Sequence, residues 1–202
     1  MSDTGGSRER PLTRPLALAE LAMAKDKIAN ALSIFVAGPY IERGWSPADN
    51  PPRSPAALLR IRVISHIEGT SRHSVVLGEH RGVLDIGDTQ LRSQSSPTLV
   101  ELKLVKTQCD AVIVIPASPG SFSELGAWSL FDDVCRKMLI LADSRFKDSG
   151  GYINLGVFKT AMNNGAVFDW VDYSDDDLII NAVDRHIERI DDKMTAHRII
   201  HG

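Results

Sequence analysis

Apolar residues in this chain follow two spacings, short unbroken runs and longer three-to-four-residue periodicities, and the two alternate. The unbroken runs are Ser33–Ala37 (SIFVA), His73–Leu77, Asp110–Ile115, Met138–Ala142 (MLILA) and Ala166–Trp170. Each is of strand length, and the most apolar (VIVI, MLIL) do not alternate with polar residues, which fits strands buried on both faces. The periodic stretches predict helices. One covers Pro15–Ala31, and a second starts at Ser54-Pro55 and runs to about Glu68, with the serine as N-cap and the proline at the first helical position. Further helices are expected at Thr98–Gln108 (after a second Ser-Pro, Ser96-Pro97), Phe122–Cys135, near Asn154–Asn163, and from Ser174–Asp177 to about Met194. Strands alternating with helices predict a doubly wound α/β fold: a five-stranded, mainly parallel sheet with helices on both faces. Residues 1–15, rich in Gly, Ser, Arg and Pro, read as a tail. Residues 16–202 read as one domain, with an N-terminal helix at 16–31 and a C-terminal helix at about 175–194.

Composition narrows the function classes. A net charge of −3 gives no bulk attraction to nucleic acid or to a membrane surface. No apolar run approaches membrane-spanning length. Glu20, Lys25 and Asp26 interrupt the first apolar stretch, so it does not read as a signal peptide. Cys109 and Cys135 lack metal-ligand spacing, so no metal and no cofactor is expected. A cytoplasmic protein with reduced thiols is the expectation.

The candidate chemistry centres on Asp110–Gly126, DAVIVIPASPGSFSELG. A buried strand ends in a Pro/Gly/Ser turn that opens a helix, and one carboxylate, Glu124, lies in what reads as the first helical turn. Ligands in open parallel sheets sit at the carboxyl ends of strands, against helix N-termini. Gly120 would let the backbone approach a ligand and tolerate positive φ. Ser121 and Ser123 could donate to a phosphate or merely cap the helix. Glu124 has two readings. It is a carboxylate placed at an anomeric carbon, where it would stabilise an oxocarbenium-like centre, or the far end of a Ser121-x-x-Glu124 capping box.

The long Gly78–Ser95 loop supplies other candidates. Asp85 and Asp88 could protonate a leaving base, or serve only the turn. His80 and Arg81 could hold a phosphate or be solvent-exposed loop charges. Tyr40 and Trp45 could stack on a base or pack against a neighbouring subunit. Gly150–Asn154 is expected to flank the pocket or cover it as a lid. Asp175–Asp177 reads as an acidic first helical turn, and His66 as a structural histidine. No P-loop, dinucleotide fingerprint or nucleophile elbow occurs.

Ser118-x-Gly120-Ser121-x-x-Glu124 resembles the G-x-G-T-x-x-E signature of LOG-type nucleotide phosphoribohydrolases. It also resembles the D-x-G-x-x-x-E-x-G segment of nucleoside 2-deoxyribosyltransferases; both belong to a broader Rossmann-like set that includes SLOG-type nucleotide-binding domains. Ile34–Tyr40 (IFVAGPY) is similar to the first strand and glycine turn of the deoxyribosyltransferases. Two departures stand out: Ser118 replaces the Asp of the transferases and the Gly of the hydrolases, and the arginine pair of the LOG enzymes is not recognisable. The resemblance implies a catalytic carboxylate at Glu124. It implies a base-and-sugar pocket lined by Gly38, Pro39 and Tyr40, with Ser118, Gly120 and Ser121 on its other side. It further implies cleavage of an N-glycosidic bond in a nucleoside, nucleotide or NAD-like substrate, with water as acceptor, in a homo-oligomer. A nucleotide-depleting role in bacterial antiviral defence is a context of such proteins. The alternative is a non-catalytic nucleotide-sensing module acting on a regulatory protein partner.

Overall fold

The computed structural model describes residues 30–41, 54–70, 72–79, 97–149, 151 and 153–201. Its strands are β1 (Ser33–Ala37), β2 (Ser74–Val76), β3 (Ala111–Val114), β4 (Met138–Asp143) and β5 (Val167–Val171). The helices are α1 (Pro55–Gly69), α2 (Pro97–Gln108), α3 (Pro119–Trp128), α4 (Asp132–Cys135), α5 (Lys159–Asn163) and α6 (Asp176–His201). The five strands pair in parallel throughout, in the order β2-β1-β3-β4-β5. This is the doubly wound Rossmann-like α/β arrangement that the alternating pattern predicts.

Both faces of the sheet are apolar because both are covered. Successive strand residues point to opposite sides. Ile34, Val36, Ile113, Leu139 and Leu141 pack with Leu59 and Val63 of α1 and Ile179 and Val183 of α6. Phe35, Val112, Val114 and Ile140 pack with Val105 of α2, Leu125 and Trp128 of α3, and Ala161 of α5. Burial on two faces removes the polar alternation that a one-sided strand would show. Among the described residues no helix is long and apolar enough to cross a membrane.

The helix boundaries depart from expectation at four places. The expected Phe122–Cys135 helix begins three residues earlier and is broken in two. Ser118 is its N-cap: the Ser118 hydroxyl accepts the Ser121 N–H at 3.2 Å, and the Ser121 hydroxyl accepts the Ser118 N–H at 3.0 Å. The break follows Trp128, where the Ser129 hydroxyl turns back to Gly126 O at 2.9 Å. The carbonyl of Ser129 is taken by the Asn164 amide at 2.8 Å. The expected helix at Asn154–Asn163 opens as a wide π-type turn, Ile153–Phe158, before α5. The last helix continues past Met194 to His201. Of the expected N-terminal helix, only Asn30 and Ala31 are described, and neither is helical. The Asn30 N–H instead donates to Asp191 of α6 at 2.9 Å.

His186 of α6 is 2% exposed and lies under the start of β4. Its Nε2–H donates to Lys137 O at 3.1 Å, and Nδ1 accepts from Arg189 at 3.2 Å. Burial, then the Arg189 charge, pushes its pKa down to about 3. The unfolded chain binds this proton near pH 6.5, so the contribution of His186 is complete above that pH and is lost as pH falls toward 3. The stability advantage of the native chain over His186→Gln is therefore expected to shrink between pH 7 and pH 4. Urea-unfolding midpoints of both proteins across that range measure it.

Candidate active site

Arg60 is a cation on the buried face of α1 and is 2% exposed. Its Nε and Nη2 donate to Val36 O at 3.2 and 2.8 Å, and Nη1 donates to Pro39 O at 2.8 Å. These carbonyls belong to the end of β1 and the turn after it. The same guanidinium pairs bidentately with the Glu79 carboxylate, Nη2 lying 2.9 Å from Oε2. Buried charges survive only when paired and hydrogen-bonded, and Arg60 is both. It ties the carboxyl end of β1 to the segment leaving β2.

Glu79 stands beside two further carboxylates. Glu101 lies in the second turn of α2, and Glu124 lies in the second turn of α3. The Glu101 and Glu124 side chains are hydrogen-bonded to each other, which two ionised carboxylates cannot do. One proton must be shared between them. Burial first, and then the Glu124 charge, raises the Glu101 pKa to about 8. Burial also raises Glu124, but the hydrogen bond from Glu101 and the Arg60 charge act in the opposite direction. Glu101 Oε2 is buried and takes no hydrogen bond from an N–H or O–H donor among the described residues. The two carboxyl groups therefore titrate as a unit, and burial keeps a proton on the pair above the ordinary carboxylate range.

Two glycines make the room. A Cβ on Gly38 would lie 3.0 Å from Arg60 Cδ and 3.4 Å from Ile115 Cβ. A Cβ on Gly78 would collide with Glu101 Oε1. The site lies at the carboxyl ends of β2, β1 and β3, where the strand order reverses and doubly wound sheets place their ligands.

The sequence candidates land unevenly. Glu124 is half-buried against Glu101 and is not tied to backbone amides, which overturns the capping-box reading of Ser121-x-x-Glu124. Because α3 starts at Pro119, Glu124 falls in the second turn and not the first. Gly120 is an exposed helical residue, and Gly165 is the described glycine with positive φ, so left-handed freedom at Gly120 is not used. Ser121 is 1% exposed, and its hydroxyl accepts from Ala117 and Ser118 at 3.1 and 3.0 Å. Gly38 and Pro39 form the turn that Arg60 grips, while Tyr40 is 74% exposed. His80, Arg81, Asp85, Asp88 and Trp45 lie outside the described residues. Asp175 caps α6 by accepting the Leu178 N–H at 3.0 Å. Among the described residues no group of three His, Cys, Asp or Glu side chains is arranged to hold a metal.

Arg60, Glu79 and Glu101 are absent from the sequence candidates, yet two of them carry a signal. Arg60 sits on the stripe Ala56, Leu59, Val63, Ile64, Ile67, and Glu101 on the stripe Val100, Leu104, Val105. A lone charge on the apolar face of a helix is expensive, and opposite charges on two such faces point to a meeting place.

A cavity of about 560 Å³ opens at the carboxyl ends of β3, β4 and β5, with Pro116, Ala117, Phe122, Asp143, Phe158 and Trp170 in its walls. Gly151 and Asn154 also line it. Neither Glu101 nor Glu124 does.

Because Glu101 is protonated when folded and ionised when unfolded between about pH 4.5 and 8, native stability drains away as pH rises through that window. Glu101→Gln is expected to become progressively more stable than the native chain over the same range. The gain is at most about 1.4 kcal/mol per pH unit and levels off above pH 8. Thermal melts of the two proteins from pH 5 to pH 9 provide the comparison.

Residues 61–201, which hold all three glutamates, match the family described as STM3845 retron effector protein. A relative from Escherichia coli, described as a retron Ec86 putative ribosyltransferase/DNA-binding protein, is 37% identical over 73 residues. That match covers 36% of this chain and 24% of the relative, so the shared segment spans about a quarter of the relative's length.

Proposed function

This chain belongs to the STM3845 retron effector family, and from that premise we propose that it cleaves the N-glycosidic bond of a nucleoside, nucleotide or NAD-like molecule. It would act as a nucleotide-depleting effector in a bacterial defence system, alongside other retron components. The observation that carries this reading is the pairing of two partly buried carboxyl groups, Glu101 and Glu124, at the switch point of the sheet. Glycoside cleavage with a covalent intermediate needs one protonated and one ionised carboxyl group on the same sugar. The description of the Escherichia coli relative as a putative ribosyltransferase supports the same C1′ chemistry, as does the resemblance of the turn before Glu124 to deoxyribosyltransferases and LOG-type hydrolases.

The steps balance without a cofactor. With a nucleoside or nucleotide, Glu124 attacks C1′ while Glu101 gives its proton to the departing base nitrogen; the nicotinamide of an NAD-like substrate is already cationic and would leave without that proton. The C1′–N bond breaks, a C1′–O bond to Glu124 forms, and neutral base leaves. Water then attacks C1′ and gives its proton to Glu101, which releases the sugar and restores both carboxyl groups. A sugar inserted between the two side chains has to part them to the roughly 5 Å separation of retaining glycosidases. Arg60 and Glu79 do not touch the reacting atoms in this scheme. They position the β1 and β2 ends and set the local field.

Incubation with NAD and a panel of nucleosides and nucleotides, followed by chromatography of free base, tests the proposal. Glu124→Gln is expected to lower the rate by at least about 10³-fold, and Glu101→Gln by about 10²–10⁴-fold, the usual worth of a general acid. The pH profile is expected to be bell-shaped. Its alkaline limb falls through about pH 8 as Glu101 loses its proton. Its acid limb lies above the ordinary carboxylate range because Glu124 is raised by burial. Glu101→Gln should flatten the alkaline limb. Turnover that survives Glu124→Gln unchanged refutes the assignment, and tight nucleotide binding without product supports the sensing module instead.

A further inference from the structure

Three polar side chains in the wall of the 560 Å³ cavity are already engaged by their neighbours. The Asp143 carboxyl, with its side chain 6% exposed, accepts the Arg145 backbone N–H at 2.9 Å, and Arg145 Nε lies 3.0 and 2.9 Å from its two oxygens. The Tyr173 hydroxyl donates to Leu141 O at 3.1 Å. The Asn154 amide donates to Phe146 O and Ser149 O at 2.8 and 2.7 Å, which fixes the rim that follows β4. Groups satisfied in this way offer a guest little hydrogen bonding, so the interior acts through its rings. Phe158 and Trp170 pack with Phe168 as a three-ring cluster, centroids 4.9 to 5.8 Å apart, which holds these walls in place. Phe122 adds a further ring. A ring-lined volume of this size suits a planar aromatic guest.

Arg145 gives the mouth a different character. It is 70% exposed, its Nε and Nη2 are committed to Asp143, and Nη1 has no hydrogen-bond partner among the described residues. Asp143 thus orients the guanidinium, while the other end of the fork, Nη1 with the second N–H of Nη2, is open to an anion. Asp172, another acid close to Arg145, is engaged by the N–H and hydroxyl of Ser174 and does not line the cavity. Ser54, Pro55 and Ala56 bring the positive end of the 15-residue α1 to the same space. We propose that this cavity binds a planar aromatic molecule bearing an anionic group, a carboxylate or a phosphate, with its ring among Phe122, Phe158 and Trp170 and its anion on Arg145. A neutral ring forgoes the guanidinium, and a cationic one meets it as a like charge. The site stands apart from the carboxyl pair, since neither Glu101 nor Glu124 lines it.

Calorimetric titration of the full chain with naphthoate, naphthyl phosphate, naphthamide and naphthylmethylamine tests this. The ring is constant through the series while the charge runs from negative to positive. At least one anion is expected to bind at least about tenfold more tightly than the amide, the worth of a charge-assisted hydrogen bond, and the amine more weakly still. The tighter of the two anions identifies the group that the mouth accepts. Arg145→Gln should bring that anion down to the affinity of the amide and leave the amide unchanged. The indole N–H resonance of Trp170, identified by its loss in Trp170→Phe, should shift as the probe binds. If Arg145→Gln fails to fold, the charge series on the native chain and the Trp170 resonance still decide. The proposal is overturned by absence of binding heat at millimolar probe or by equal affinity for the amide and both anions. An anion preference that Arg145→Gln leaves intact and Glu101→Gln alters overturns it too, since the probe would then lie at the carboxyl pair.

Discussion

One buried guanidinium holds the upper rim of this sheet together. Arg60 binds the last carbonyl-bearing turn of β1 and the carboxylate that follows β2 in the same plane of donors. Removing Glu79 alone would leave a buried positive charge without its partner, and removing Arg60 alone would leave a partly buried negative one. The pair is therefore kept or lost as a unit. Its field also reaches the two carboxyl groups beyond it. Arg60 favours the ionised form of both, Glu79 opposes it, and burial outweighs either. The site's coupled titration is a property of that small cluster and not of Glu124 by itself.

The sheet was legible because its signal is redundant. Each strand is a run of apolar residues with burial on both faces, and β1, β3, β4 and β5 start and stop within one residue of the reading. Helix boundaries were less legible where side chains compete for backbone groups. Ser118 and Ser121 form a reciprocal cap that moves the start of α3 to Pro119. Ser129 and Asn164 draw a carbonyl out of the helix ladder and end it. Neither pairing follows from periodicity, since Asn164 lies 35 residues away.

The site was legible by halves. Glu124 follows a strand and a glycine-containing turn, a local pattern that sequence alone displays. Its partner Glu101 comes from a different helix, and the proximity of α2 to α3 is fixed by strand order. What local reading discards is a charge on the wrong face: Arg60 and Glu101 break apolar stripes that otherwise explain their helices. Treating each such interruption as a question would have named both residues, though not which partner each one meets.

Gly78 shows how part of this centre is written as an omission. The volume into which the Glu101 carboxyl fits is kept clear by nothing more than a missing methyl group. A functional map built from chemically active side chains would pass over residue 78, although a single carbon there competes for the place of the Glu101 carboxyl group. Residues that donate nothing but empty space therefore belong beside the glutamates in any account of which changes this cluster can accept.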